Sequence, residues 1–138
     1  TIVKNKSVIL IDDSLVRGTT CLKIVKMLYE AGAKEVHVRI ACPEIKFPDF
    51  YGVDMPTEKE LLANNRNIQE MCEYIKAKSL KFLSLNGLYA ALIGEKRILS
   101  YPQFSDHYFT GDYPIRPYDK LKGKKIKQLS LLSGKSSN

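Results

Sequence analysis

The pattern of apolar and polar positions divides most of this chain into strand-like and helix-like stretches. Val8-Ile9-Leu10-Ile11 is an unbroken apolar run, mostly β-branched, and predicts a strand buried on both faces. Across residues 21–31 the spacing changes to that of a helix, with Leu22, Val25 and Tyr29 on one side, Ile24 and Leu28 beside them, and Gly32 just past the end as a left-handed C-cap. Val36, Val38 and Ile40 then alternate with His37 and Arg39, which predicts a strand with one apolar and one polar face. On such a strand His37 reads as a surface or interface side chain rather than a catalytic base. The strand–helix–strand order predicts a right-handed parallel unit.

Residues 42–56 hold three prolines and no clear period, so they read as an irregular, partly apolar connection of the kind that is often functional. Thr57 to Glu60 fits a capping box for a short helix through Leu61 and Leu62. Asn67 to Glu70 fits another, with Ile68, Met71, Cys72 and Ile75 on one helix face, so Cys72 reads as a core thiol. Leu80, Phe82, Leu83 and Leu85 predict a further short strand, and Asn86 caps a helix through Leu88, Leu92 and Ile93 closed by Gly94. From Tyr101 to Tyr118 the chain is rich in aromatics and proline. There is no internal repeat, and only Ser133 onward is low in complexity.

Candidate chemistry gathers just after the first strand, in Asp12-Asp13-Ser14-Leu15-Val16-Arg17-Gly18-Thr19-Thr20. In an open α/β sheet, ligands bind in the crevice at the carboxyl ends of the strands. The following helix offers free N–H groups and a positive dipole end to an anion. Gly18 permits close backbone approach, and Ser14, Thr19 and Thr20 add hydroxyl donors. Asp12 and Asp13 can accept from sugar hydroxyls or hold Mg²⁺, while the 17–20 turn suits a phosphate. A ribose 5-phosphate has both features.

This string resembles the phosphoribosylpyrophosphate (PRPP) motif of type I phosphoribosyltransferases, and its wording is similar to that of the glutamine PRPP amidotransferase (amidophosphoribosyltransferase) family. Two other stretches are family-like: Pro43-Glu44-Ile45 with Tyr51-Gly52-Val53-Asp54-Met55-Pro56, and Phe109-Thr110-Gly111-Asp112-Tyr113-Pro114. The resemblance covers about residues 1 to 120. It implies an α/β fold, namely the C-terminal portion of a Rossmann-like phosphoribosyltransferase domain over 1–119, with a parallel sheet and flanking helices. By the same resemblance, Asp12 and Asp13 hold the ribose hydroxyls directly or through Mg²⁺, and Ser14, Arg17, Gly18, Thr19 and Thr20 form the 5′-phosphate cradle. Arg17 has the alternative of pairing with a nearby acid.

The family activity is phosphoribosyl transfer from PRPP to ammonia released from glutamine, the first committed step of purine synthesis. The family's glutaminase half begins with a catalytic cysteine; this chain begins with Thr1, so the glutaminase half and the early transferase strands are expected to be missing and the chain to be inactive by itself. Its expected ligands are PRPP and purine nucleotides. Its expected partners are the missing half or further copies of itself. Some family members carry an iron–sulfur cluster on a Cys-x-x-Cys pair just before Phe-Thr-Gly. Ser105-Asp106-His107-Tyr108 stands there in this sequence, so no cluster is expected.

Composition changes this picture little. The 138 residues are one domain's worth of chain with ordinary globular composition and no apolar run of membrane-spanning length, and the stretch Thr1 to Lys6 lacks the long apolar centre expected of a signal peptide. Cys21, Cys42 and Cys72 form neither a metal-ligand spacing nor an even set for disulfides, and point to a reducing cytoplasm. The net charge of +7 suggests nucleic acid until it is located. Lys120, Lys122, Lys124, Lys125, Lys127 and Lys135 supply most of it, and no acidic residue follows Asp119. Residues 120–138 therefore read as a basic, partly flexible tail with no RNA-binding signature. Two other functions stay open: a non-catalytic PRPP- or nucleotide-binding module, and a receiver-like phosphoacceptor with Asp54 in Val53-Asp54-Met55-Pro56 as the phosphorylated residue. A third possibility is that nothing binds, because without the early strands a long sheet edge and apolar surface lie open.

Overall fold

A computed structural model describes residues 2–52 and 56–115; Asp54 and the basic tail lie outside the described residues. The chain runs β1 (Ser7–Asp12), α1 (Thr19–Glu30), β2 (Glu35–Ile40), a 3₁₀ turn (Glu58–Glu60), α2 (Ile68–Tyr74), β3 (Ser79–Phe82), α3 (Leu85–Ile93) and α4 (His107–Thr110). The strands form one parallel sheet in the order β1-β2-β3. This is the expected α/β architecture.

The alternation of β2 decides how the sheet is filled. Val36, Val38 and Ile40 are buried, and α1 and α2 pack over that face with Cys21, Val25, Met71 and Ile75. Val8 and Leu10 of β1 and Leu80 of β3 join the same core. The expectation that β1 is buried on both faces is not met. Ile9 and Ile11 are 63% and 73% exposed, because β1 is an edge strand and no described element covers its second face. That face continues through Glu35, His37 and Arg39 to Ser79 and Lys81, by the register Ile9↔His37↔Ser79 and Ile11↔Arg39↔Lys81. His37 is a surface side chain there: its Nδ1 lies 2.8 Å from Ser79 Oγ and its Nε2 3.6 Å from Glu35.

Local signals held with small shifts. The buried seam of α1 is Cys21, Val25 and the half-buried Leu28, one position round from the expected Leu22–Val25–Tyr29 line. Gly32 takes the left-handed conformation that the chain reversal requires, φ 92°. Asn67 and Glu70 cap α2 reciprocally, at 2.9 and 2.8 Å. Thr57 donates to Glu60 through both its N–H and its hydroxyl, at 3.0 and 2.8 Å, but the turn stops there: Leu61 is extended, and Leu61 and Leu62 plug the core instead of continuing a helix. α3 is capped by Ser84, whose hydroxyl accepts from Gly87 N–H at 3.0 Å, and not by Asn86, which lies inside the helix; Leu83 and Leu85 fall outside β3. Leu92 is exposed rather than core.

The two aromatic, proline-containing stretches that flank α2–α3 in the chain pack against one another. Lys46 and Phe47 donate their N–H groups to the Tyr108 carbonyl, at 2.9 and 3.1 Å, and the Tyr113 hydroxyl donates to the Pro48 carbonyl at 2.9 Å. His107 is buried between Tyr108 and Tyr113 with its Nε2 2.7 Å from Asp49 Oδ1. Its Nδ1 has no hydrogen-bond partner among the described residues, so stacking, not bonding, holds that edge of the ring. Beside it, Asp106 accepts from Arg97, from the Tyr89 hydroxyl at 2.9 Å and from Thr110 at 3.1 Å. No strand leads into the Asp54 region from residues 43–52, as a receiver would need.

Candidate phosphate-sugar site

The candidate site is built where β1 ends. Asp12 closes the strand, held by its carbonyl, which accepts from Ala41 N–H at 2.9 Å. The chain then turns, and the Asp13 N–H donates to Asp12 Oδ1 at 3.0 Å while the Ser14 hydroxyl lies 3.3 Å from Asp13 Oδ1. Leu15 drops into the core and anchors the loop. Val16 is tied across by its carbonyl, which accepts from Leu62 N–H at 2.8 Å.

Gly18 is the N-cap of α1, at φ 76°. A Cβ there would sit 2.8 Å from a Leu62 methyl and 3.0 Å from the Tyr74 ring, so both backbone conformation and space demand glycine. No side chain caps the α1 N-terminus and no acid lies in its first turn. Its free N–H groups and dipole are therefore left for an outside anion, with the exposed Thr19 and Thr20 hydroxyls alongside.

These residues line one open cleft of about 450 Å³, formed by Asp12 through Cys21 with Pro56 at its rim. Asp12, Asp13, Ser14, Arg17, Gly18, Thr19 and Thr20 are thus brought to one place. Arg17 is also engaged elsewhere: its Nε and Nη2 both lie 3.2 Å from Glu60 Oε1. The 56–62 segment is the part that sequence reading missed. The capping box marks the turn, but nothing local shows that Leu62 and Glu60 buttress a loop more than forty residues upstream.

The cleft's electrostatics are felt by the thiols beneath it. Burial, reinforced by the Asp12 charge, pushes the Cys21 thiol up to about 11. Cys42 is raised as well, by burial first and by the Asp13 charge. Both shifts favour the protonated, less reactive thiol. Among the described residues no three or more His, Cys, Asp or Glu side chains gather into a metal site, and no helix is long and apolar enough to cross a membrane.

The chain is 56% identical over 132 residues to an amidophosphoribosyltransferase of Rhizobium etli, a match covering 95% of this chain and 27% of that one. The chain is homologous to the amidophosphoribosyltransferases. An amidophosphoribosyltransferase of Staphylococcus aureus (strain N315) is 49% identical over 118 residues, covering 86% of this chain and 24% of that one. Among solved structures, the glutamine PRPP amidotransferase from B. subtilis complexed with ADP and GMP superposes with a TM-score of 0.76 at 45% identity, over 86% of this chain and 26% of that one. The "allosteric regulatory enzyme of purine biosynthesis" gives a TM-score of 0.71 at 42% identity, over 88% and 26%. This amidophosphoribosyltransferase homologue spans about a quarter of the length of the relatives it matches. No family model matches it.

Proposed function

We propose that this chain supplies the ribose-5-phosphate site of an amidophosphoribosyltransferase, the enzyme that makes 5-phosphoribosylamine from PRPP at the first step of purine biosynthesis, and that by itself it binds without completing the reaction. One observation carries this reading: a contiguous run of acceptors and donors, Asp12 to Thr20, lines a single cleft between a strand end and an uncapped helix N-terminus. Homology to amidophosphoribosyltransferases supports it, and the ADP and GMP bound by the B. subtilis protein support purine nucleotides as further ligands.

In the proposed reaction ammonia attacks the anomeric carbon as pyrophosphate leaves with the bonding electron pair, through an oxocarbenium-like transition state. No protein nucleophile is required, so the residues of this chain act by holding and orienting. Thr19, Thr20 and the first N–H groups of α1 fix the 5′-phosphate, and Asp12 and Asp13 accept from the ribose hydroxyls and face the developing positive charge. Two adjacent carboxylates fit Mg²⁺, which is commonly held by one or two carboxylates together with substrate oxygens; Asp12 and Asp13 would hold it. When bound, Mg²⁺ supplies neutralisation of the departing pyrophosphate.

Calorimetric titration of PRPP with Mg²⁺ into the chain tests the proposal. Saturable binding that disappears in Asp13→Asn/Thr19→Ala is expected. Equal affinity in the wild type and the double variant, or no binding by a folded wild type, would overturn it.

A further inference from the structure

The strongest feature that the proposed function leaves unused is the partner of Arg17. Its guanidinium lies 3.2 Å from Glu60 Oε1 through both Nε and Nη2. The other oxygen of Glu60, Oε2, is occupied by the N–H and hydroxyl of Thr57, so the carboxylate is fixed in orientation with Oε1 presented to Arg17. The loop and the turn that carry the two side chains are locked together by the Leu62 N–H···O=C Val16 bond and by Gly18 against Leu62. Yet both ends of the pair remain in solvent, Arg17 at 54% and Glu60 at 46% exposure. The backbones are held; the ion pair is cheap to open.

We propose that the Arg17–Glu60 pair is a latch: Glu60 withholds the Arg17 guanidinium from the cleft, and an incoming phosphate takes Arg17 over. This rests on the reading of the cleft as a phosphate site and names Glu60 as the residue that tunes its affinity. Arg17 lines that cleft, and a planar guanidinium forks onto phosphate as readily as onto carboxylate. The exchange swaps a monoanionic partner for a phosphate carrying more charge beside the α1 N-terminus. Glu60 therefore weakens the cleft's hold on an anion by the modest worth of that exposed pair. It is a positioning residue and touches no reacting atom.

The test uses the whole chain and calorimetry with inorganic phosphate and with PRPP–Mg²⁺, on wild type, Glu60→Gln, Arg17→Gln and the double variant. Gln keeps the capping role at the third helical position and removes only the charge. Glu60→Gln is expected to bind both ligands roughly two- to fivefold tighter, the worth of an exposed ion pair. Arg17→Gln should bind more weakly, and Glu60→Gln should add nothing in that background. The Arg17 Nε–H resonance should shift on adding phosphate to wild type, and in Glu60→Gln it should already be displaced from its wild-type position without ligand. Unchanged affinity in Glu60→Gln or in Arg17→Gln would overturn the latch while leaving the phosphate site standing. So would tightening that persists without Arg17, which would show a general charge effect. A folded wild type that binds neither ligand would overturn the phosphate site itself.

Discussion

The cleft after β1 and the clasp around His107 are polar constructions of opposite kinds. The cleft is drawn from one continuous run, Asp12 to Cys21 with Pro56, and its Asp13, Arg17, Thr19 and Thr20 side chains are exposed. The clasp joins Asp49 to His107 across 58 positions and Tyr89 to Asp106 across 17, and its charges are buried: the Arg97 and Asp106 side chains are 6% and 4% exposed. Exposed polar groups left without an internal partner are available to a ligand, whereas buried ones must satisfy each other. The cleft thus keeps polar groups within reach of solvent, as the proposed binding needs, and the clasp holds residues 46–51 against 106–113.

Breaking the clasp should have the largest effect. Arg97→Ala strands the buried Asp106 carboxylate, and removing one partner of a buried pair costs about 3–5 kcal/mol. Urea denaturation should show that loss, while the fraction still folded keeps its affinity at the cleft. The same pair sets an acid limit. Burial alone would raise Asp106, but hydrogen bonds from Arg97 and Tyr89 and the Arg97 charge outweigh it and hold the carboxyl below its usual range. The folded state then binds fewer protons than the unfolded, so this contribution is present above the ordinary carboxylate pKa of about 3.9 and is lost as pH falls through the folded value. The acid dependence should flatten in Arg97→Ala. A variant as stable as wild type would show the clasp to be decorative.

Gly18→Ala comes next, because Gly18 seats the cleft loop against Leu62 and Tyr74. The left-handed φ and the close approach to Leu62 and Tyr74 predict a loss of about 1–3 kcal/mol, together with lost PRPP binding. Asp13→Asn/Thr19→Ala sharpens the contrast from the other side: binding gone, thermal stability altered by less than about 1 kcal/mol, since both side chains are exposed. The smallest effect is kinetic. With its thiol at about 11, Cys21 should resist iodoacetamide at pH 8 until the chain is unfolded. Rapid labelling of the native chain would mean that the cleft floor is open.

Legibility in the sequence follows the same division. The Asp12–Thr20 string, the alternation of β2 and the Asn67–Glu70 box are local, and each appears in the structure near its expected place. What escaped is long-range. The polar partners of His107 and Arg97 carry no periodicity, and α4 is too short to leave a pattern. β1 shows the limit from another direction. Four apolar residues in a row announce burial on both faces, but composition cannot say which neighbours are present to provide it. The same holds for Leu61 and Leu62, where the capping box predicts a helix and the core takes the leucines as plugs instead.

The open flank of β1 turns concentration into a chemical variable. Ile9 and Ile11 stand on a face that no described element covers, and along the outer edge a row of backbone donors and acceptors has no described strand beside it. Such a ribbon is a template for another ribbon like itself. At high concentration two copies gain by laying these edges together, and the lysines at 4 and 6, next to the strand's start, oppose that only through charge, which salt screens. In a preparation of the chain alone, self-association through this edge is expected to rise with protein concentration and with salt, which light scattering would read.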